Sequence, residues 1–310
     1  MTLNARRMLL VHAHPDDETI GTGATMAKYV ADGAQVTLVT CTAGEEGEIL
    51  LPELNHLSIE QEDRLGEHRV GELAEAMKIL GVTDHRFLGG TGHFRDSGMK
   101  WGEDGHATAM DDPPQAGGAP TRSDTFWRAD LADAADLLVE IIRETTPHVL
   151  VTYDQFGGYG HPDHVQAHRV TTYAVALAAA PSYRRDLGDA WDVPKVYWSA
   201  MSASRMAAGL REIRASGDMK TFEGMDPDNL PPFAVPDADL TAAIDGQEFV
   251  DRKMDALRAH ASQVAVDGPF FALSNNVGNK VWATEFYRLV KGTAGPTGPS
   301  GFEEDLFAHQ

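Results

Sequence analysis

Short unbroken apolar runs, each handing over to a helical pattern, decide most of what this chain can become. Met8-Leu-Leu-Val11 reads as a strand buried on both faces, because a half-exposed strand would alternate apolar with polar residues. Helical spacing follows from about Thr19 to Asp32 and stops at Gly33, a residue that ends helices by accepting a left-handed backbone. Val36-Thr-Leu-Val39 is the second strand. The spacing of Leu65, Val70, Leu73, Met77 and Leu80 then predicts a helix over about Ser58 to Leu80, and Arg86-Phe-Leu88 is a weak third strand. Asp124 is placed to cap a helix running to about Glu144. His148-Val-Leu-Val-Thr-Tyr153 is the clearest strand, and a helix over about Asp163 to Ala179 follows it.

Strand and helix in this alternation make βαβ units, hence an α/β fold: a Rossmann-like, mostly parallel sheet with helices on both faces. Residues 1–180 form that core. Residues 181–310 read as a smaller C-terminal α+β portion that packs on the core and completes its pocket. That portion has a strand at Val196-Tyr-Trp198 and helices over Ser204–Arg214 and Gln247–His260. The Gly/Pro/Asp-rich stretch from Gly89 to Arg122 is a long loop of the kind usually functional or disordered. The Gly/Pro/Ser-rich tail from about residue 292 reads as mobile.

Charge and cysteine content remove whole classes of function. With 26 Lys plus Arg against 47 Asp plus Glu in 310 residues, the net charge is −21. A nucleic-acid partner is excluded, because that affinity rests on basic patches neutralising phosphates, and an anionic membrane surface is disfavoured for the same reason. No apolar run approaches the roughly 18 residues of a membrane span. Cys41 stands alone among 13 histidines, so neither a disulfide framework nor a thiolate metal site is available, and the reading is a reducing, cytoplasmic compartment.

Two motifs carry the chemistry. The first strand runs into His12-Ala-His14-Pro15-Asp16-Asp17-Glu18, and the fourth, through a Gly-rich loop, into Gly157-Gly-Tyr159-Gly-His161-Pro162-Asp163-His164. In an open α/β sheet both positions lie above the carboxyl ends of the strands, where ligands bind, so segments about 150 residues apart can share one pocket. His14, Asp17 and His164 suit one divalent ion and leave a position open for water. Zn2+ is the expected ion; the same donors accept Fe2+. Asp16, beside the ligands but not one of them, suits a general base. Tyr159 and His161 are donors for a developing oxyanion or a leaving group.

Plainer readings compete with each part. An Asp-Asp pair behind Pro15 is by itself more often a helix cap than a site. His12 fits a supporting or core histidine equally well, and His168 fits an exposed helical position. Only the two motifs together, each at a strand end, turn the balance towards a site. Gly21-Thr-Gly23 suggests a dinucleotide fingerprint, but Met26 stands where the third glycine belongs and carboxylates crowd the turn, so that reading is rejected.

Ala13-His-Pro-Asp-Asp-Glu18 together with Gly158-Tyr-Gly-His-Pro-Asp-His164 resembles the LmbE/PIG-L family of metal-dependent N-deacetylases, over roughly residues 7–175. The resemblance implies His14, Asp17 and His164 as ligands, Asp16 as general base, and Tyr159 and His161 as aids at the tetrahedral intermediate. Val39–Glu48, Arg69–Leu73 and Arg95–Met99 are most similar to the branch that deacetylates N-acetylglucosaminyl-inositol, a small aminosugar-inositol, in mycothiol biosynthesis. By that likeness Arg69 and Asp96 hold sugar or inositol hydroxyls, and Glu48 and Met99 line the pocket. The related mycothiol S-conjugate amidases carry a Lys shortly after the first motif. Here Thr19-Ile-Gly-Thr-Gly23 stands there and no Lys precedes Lys28, which favours the deacetylase. From a different class, a non-haem Fe(II) oxygenase also uses two histidines and a carboxylate.

Overall fold

Alternation inside the first strand sets the layering. β1 (Arg7–His12) points Leu9 and Val11 to one face and Met8 and Leu10 to the other, and all four are fully buried. The computed structural model describes residues 6–101, 107–109, 124–222, 224–265 and 283–309. After β1 come α1 (Asp17–Ala31), β2 (Gln35–Thr40), α2 (Leu65–Leu80) and β3 (Asp84–Phe87). A hairpin of β4 (Met99–Trp101) and β5 (Ala107–Ala109) precedes α3 (Leu131–Thr145), β6 (Val149–Thr152) and α4 (Pro162–Ala178). β7 (Lys195–Ser202), α5 (Ala203–Ala215), β8 (Ala234–Val235), β9 (Ala242–Asp245), α6 (Val250–Ala259) and β10 (Thr284–Lys291) complete the order.

The main sheet runs β3-β2-β1-β6-β7-β10-β9, with β8 added beside β7. Pairing is parallel from β3 through β7, and β10 lies antiparallel to both β7 and β9. From β1 the chain winds outward to β2 and β3, then returns to the other side of β1 with β6 and β7. The direction of winding therefore reverses between β1 and β6, which opens a crevice at their carboxyl ends.

Leu138, Ile142, Val170 and Ala174 of α3 and α4 cover one face of the sheet, against Leu9, Val11 and Leu150. Met26, Leu73, Met77 and Ala256 of α1, α2 and α6 cover the other, against Met8, Leu10 and Val151. This second core also takes in Ile244 and Tyr287, so one sheet and one core run across residue 180.

Several boundaries differ from those the residue pattern predicts. The helix expected from Ser58 starts at Leu65, because a short 3-10 turn at Pro52–Leu57 and a left-handed Asp63 (φ 53°) come first. α3 is capped by Asp130, which accepts the N–H groups of Ala132 and Asp133 at 2.8 and 3.1 Å, and not by Asp124. The stretch expected to be loop contains the β4–β5 hairpin, and most of it beyond Trp101 lies outside the described residues. The tail departs from the mobility its composition suggests: Leu306 and Phe307 are buried in the second core, and Lys195 Nζ pairs with Glu303 where both side chains are buried.

Candidate metal centre and active site

Both motifs leave their strands at the switch point. After β1 the chain turns at Ala13–Asp16 and α1 opens at Asp17. After β6, residues 153–161 loop back before Pro162 opens α4. Gly157 has φ 67°, and a Cβ there would stand 2.7 Å from His164 Cβ and 2.8 Å from Val165 N. Only a glycine lets this loop lie against the first turn of α4.

The loop and the turn bring a carboxylate between two imidazoles. Asp17 Oδ2 lies 3.3 Å from His14 Nδ1 and 3.2 Å from His164 Nε2. His164 turns Nδ1 to the carbonyl of Gly157 at 3.2 Å, while its buried Nε2 has no hydrogen-bond partner among the described residues. His14 turns Nε2 to Asp163 Oδ2 at 3.2 Å and Asp96 Oδ1 at 3.4 Å. Each ring thus commits one nitrogen to a carbonyl or carboxylate and leaves the other facing Asp17, an arrangement that fixes the imidazoles of metal sites. Burial alone would raise the Asp17 carboxyl; the His164 and His14 rings outweigh it and hold the group well below the usual carboxylate range. The donors fit a divalent cation. Among the described residues, the groups whose ligand atoms all lie within 4.8 Å of one another are His14/His161/His164 and His14/Asp96/Asp163; both include His14, the first also His164, and neither includes Asp17.

Asp16 stands at the N-cap position of α1 but makes no side-chain capping bond. Its φ of 111° is a sparsely populated conformation for a residue with a Cβ, worth about 1–3 kcal/mol of strain. The capping alternative therefore gives way. Asp16 N–H donates to Glu18 Oε2 at 2.9 Å, and Arg69 Nη2 donates to Asp16 Oδ2 at 3.2 Å. Burial pushes the Asp16 carboxyl up to about 6, with Arg69 pulling the other way. A carboxyl of that basicity is ionised near neutrality and can still receive a proton.

Asp16, Asp17, His164 and Tyr159 line a cavity of about 610 Å3. Burial raises the Tyr159 hydroxyl, so it remains a donor. His161 caps α4, its Nδ1 accepting from Asp163 N at 3.1 Å, which leaves the proton on Nε2. Burial beside His14 and His164 pushes His161 down to about 2, and its ring lies 4.5 Å from that of His14 without lining the cavity.

The residues expected to hold substrate are placed differently from one another. Met99 lines the cavity; Arg69, Asp96 and Glu48 do not. Arg69 is 3% exposed and bonds Gly44 O at 2.7 Å as well as Pro15 O and Asp16, so its guanidinium is used in shaping the first motif. Asp96, also 3% exposed, accepts Gly98 N at 2.9 Å and Glu46 N at 3.2 Å. Glu48 is exposed on its loop.

His12 is a core residue held by Thr22 Oγ1 at 3.1 Å and Tyr153 Oη at 3.3 Å. His168 bonds the Tyr153 carbonyl at 3.1 Å, away from the cluster. Two participants carried no assignment from sequence. Tyr153 Oη donates to Asp17 Oδ2 at 2.8 Å, accepts from Ala13 N at 2.8 Å, and its ring stacks on His164 at 4.2 Å. Asp163 sets His14 and is itself held by the backbone N–H and hydroxyl of Ser97.

The model of the family described as "PIG-L: GlcNAc-PI de-N-acetylase" matches residues 9–175, the stretch holding both motifs. The chain belongs to this family. Over 304 residues it is 66% identical to a 1D-myo-inositol 2-acetamido-2-deoxy-alpha-D-glucopyranoside deacetylase from Nocardioides sp., covering 98% of both chains. It is 64% identical to the protein of the same name from Kribbella flavida, covering 98% of this chain and 97% of that one. Among solved structures it is similar to the N,N'-diacetylchitobiose deacetylase from Pyrococcus horikoshii, with a TM-score of 0.58 at 18% identity over 93% of this chain and 85% of that one. At that identity the likeness speaks for the fold alone.

Proposed function

We propose that this member of the de-N-acetylase family hydrolyses the acetamide of an N-acetylglucosaminyl-inositol, yielding the free amine and acetate, with zinc as its ion. The hydrolase reading is carried by one observation: the Asp17 carboxylate lying between His14 Nδ1 and His164 Nε2, with Asp16 beside it on the same cavity. The substrate rests on the names of the full-length relatives at 66% and 64% identity. Family membership also leaves no support for an Fe(II) oxygenase.

His14, Asp17 and His164 would hold the ion, which when bound supplies an activated water and polarises the acetyl carbonyl. Asp16 receives the proton that the attacking water releases. The Tyr159 hydroxyl donates to the carbonyl oxygen as negative charge gathers there, while the neutral His161 ring packs beside His14 behind the cavity wall. Asp16, then holding the proton, returns it to the nitrogen as the C–N bond breaks.

Acetate release from the inositol-linked N-acetylglucosamine is expected, lost on chelation and restored by Zn2+. Asp16→Asn should keep the metal while turnover falls about 10²- to 10⁴-fold. Near-normal turnover of that variant, or acetate release from fully metal-free protein, would overturn the mechanism. The distal cavity wall, with Met206, Leu210, Phe222, Met225 and Phe233, is apolar. That wall favours amide cleavage in a bulkier S-conjugate as the second reading, and the ratio of the two turnovers decides between them.

A further inference from the structure

Asp16 keeps a strained backbone, and one of the two residues that hold it, His260, comes from outside the matched family region. Glu18 and His260 are both fully buried. His260 Nε2 lies 3.0 Å from Glu18 Oε1, and Thr19 Oγ1 donates to that same oxygen at 2.5 Å. The second oxygen, Oε2, receives the Asp16 N–H at 2.9 Å. His260 follows the last turn of α6, and Ser262 fastens that turn to α2 by donating its N–H and hydroxyl to the Glu72 carboxylate at 2.8 and 2.6 Å. α2 also carries Arg69, which holds the Asp16 side chain.

We propose that the Glu18–His260 pair is a positioning device for the general base. The carboxylate grips the Asp16 amide in its left-handed conformation, and the imidazole fixes the carboxylate. Without the pair Asp16 relaxes to negative φ, and its side chain swings off the reacting water. Specifying the base in this way rests on the hydrolase reading above; the backbone grip itself does not.

The test uses the full chain with His260→Leu, His260→Gln, Glu18→Ala and Glu18→Gln. Zinc content, thermal midpoint, kcat and KM for acetate release, and the exchange rate of the Asp16 amide proton in metal-free protein are measured. His260→Leu and Glu18→Ala should lower kcat about tenfold or more with KM changed less than about twofold. Both should keep zinc and speed exchange at Asp16. His260→Gln, whose amide still donates to Glu18, and Glu18→Gln, which keeps an oxygen for Asp16 N–H, should recover most of kcat and of the protection.

A folded His260→Leu with full kcat and a protected Asp16 amide overturns the proposal. So does a kcat loss that the Gln variants share and the amide does not report. If His260→Leu fails to fold, the Glu18→Ala and Glu18→Gln pair decides by the same readouts. If the parent protein releases no acetate, the hydrolase reading fails, while the Asp16 amide alone still decides the grip.

Discussion

Tyr153 shows how far a single side chain organises the centre. Its hydroxyl joins Ala13 N to Asp17 Oδ2, and its ring covers His164. Tyr153→Phe keeps the ring and removes both of these bonds together with the contact to His12 Nδ1. Metal affinity measured by competition with a chelator should fall about 10- to 100-fold, as when other groups that orient ligands are removed. Stability in urea should fall roughly 1–3 kcal/mol, because Ala13 N–H is left buried without an acceptor. Unchanged affinity would show that Asp17 is held well enough by the two imidazoles. In sequence Tyr153 is only the last residue of a strand, and nothing in its neighbours announces the hydroxyl's partners. That His14, Asp17 and His164 come together was legible because their motifs sit at strand ends. Arg69 and Asp96 were legible as important polar residues but not as buried ones, since a helix position or loop Asp reads the same whether it faces ligand or backbone.

At the level of elements, the loop between β6 and α4 is the tightest constraint on the site. Gly157 and Gly158 are both left-handed, at φ 67° and 64°, but a Cβ at Gly158 would have nothing within 4 Å, whereas one at Gly157 meets His164 and Val165. Each alanine substitution should cost roughly 1 kcal/mol or more from backbone strain. Only Gly157→Ala should also weaken metal binding, by displacing His164; equal affinity in both variants would show that α4 gives way without moving its ligand. The strands buried on both faces were legible because continuous apolar runs have few other uses. β9 and β10 were not, because Ala242–Asp245 is short and Thr284–Lys291 mixes polar with apolar residues. The start of α2 was set too early because the turn at Pro52–Leu57 and the left-handed Asp63 are backbone events that periodicity does not report.

Over the whole molecule, the C-terminal residues are structural members of the second core. Lys195 pairs with Glu303, whose carboxylate also receives Tyr197 Oη at 2.8 Å and Gly295 N at 2.8 Å. Glu303→Gln leaves a buried ammonium without its counter-charge and should cost about 3–5 kcal/mol in urea unfolding. A change below about 1 kcal/mol would place Lys195 in contact with water after all. Composition alone misjudged this segment because Gly, Pro and Ser describe its first ten residues, not the Leu306-Phe307 pair that closes the sheet. That closure has a consequence for biogenesis. At about 5–20 residues per second, Phe307 leaves the ribosome on the order of 15–60 s after β1. Until then the part of the second core that Leu306 and Phe307 fill stays open, and the chain should lean on chaperones during translation more than after it.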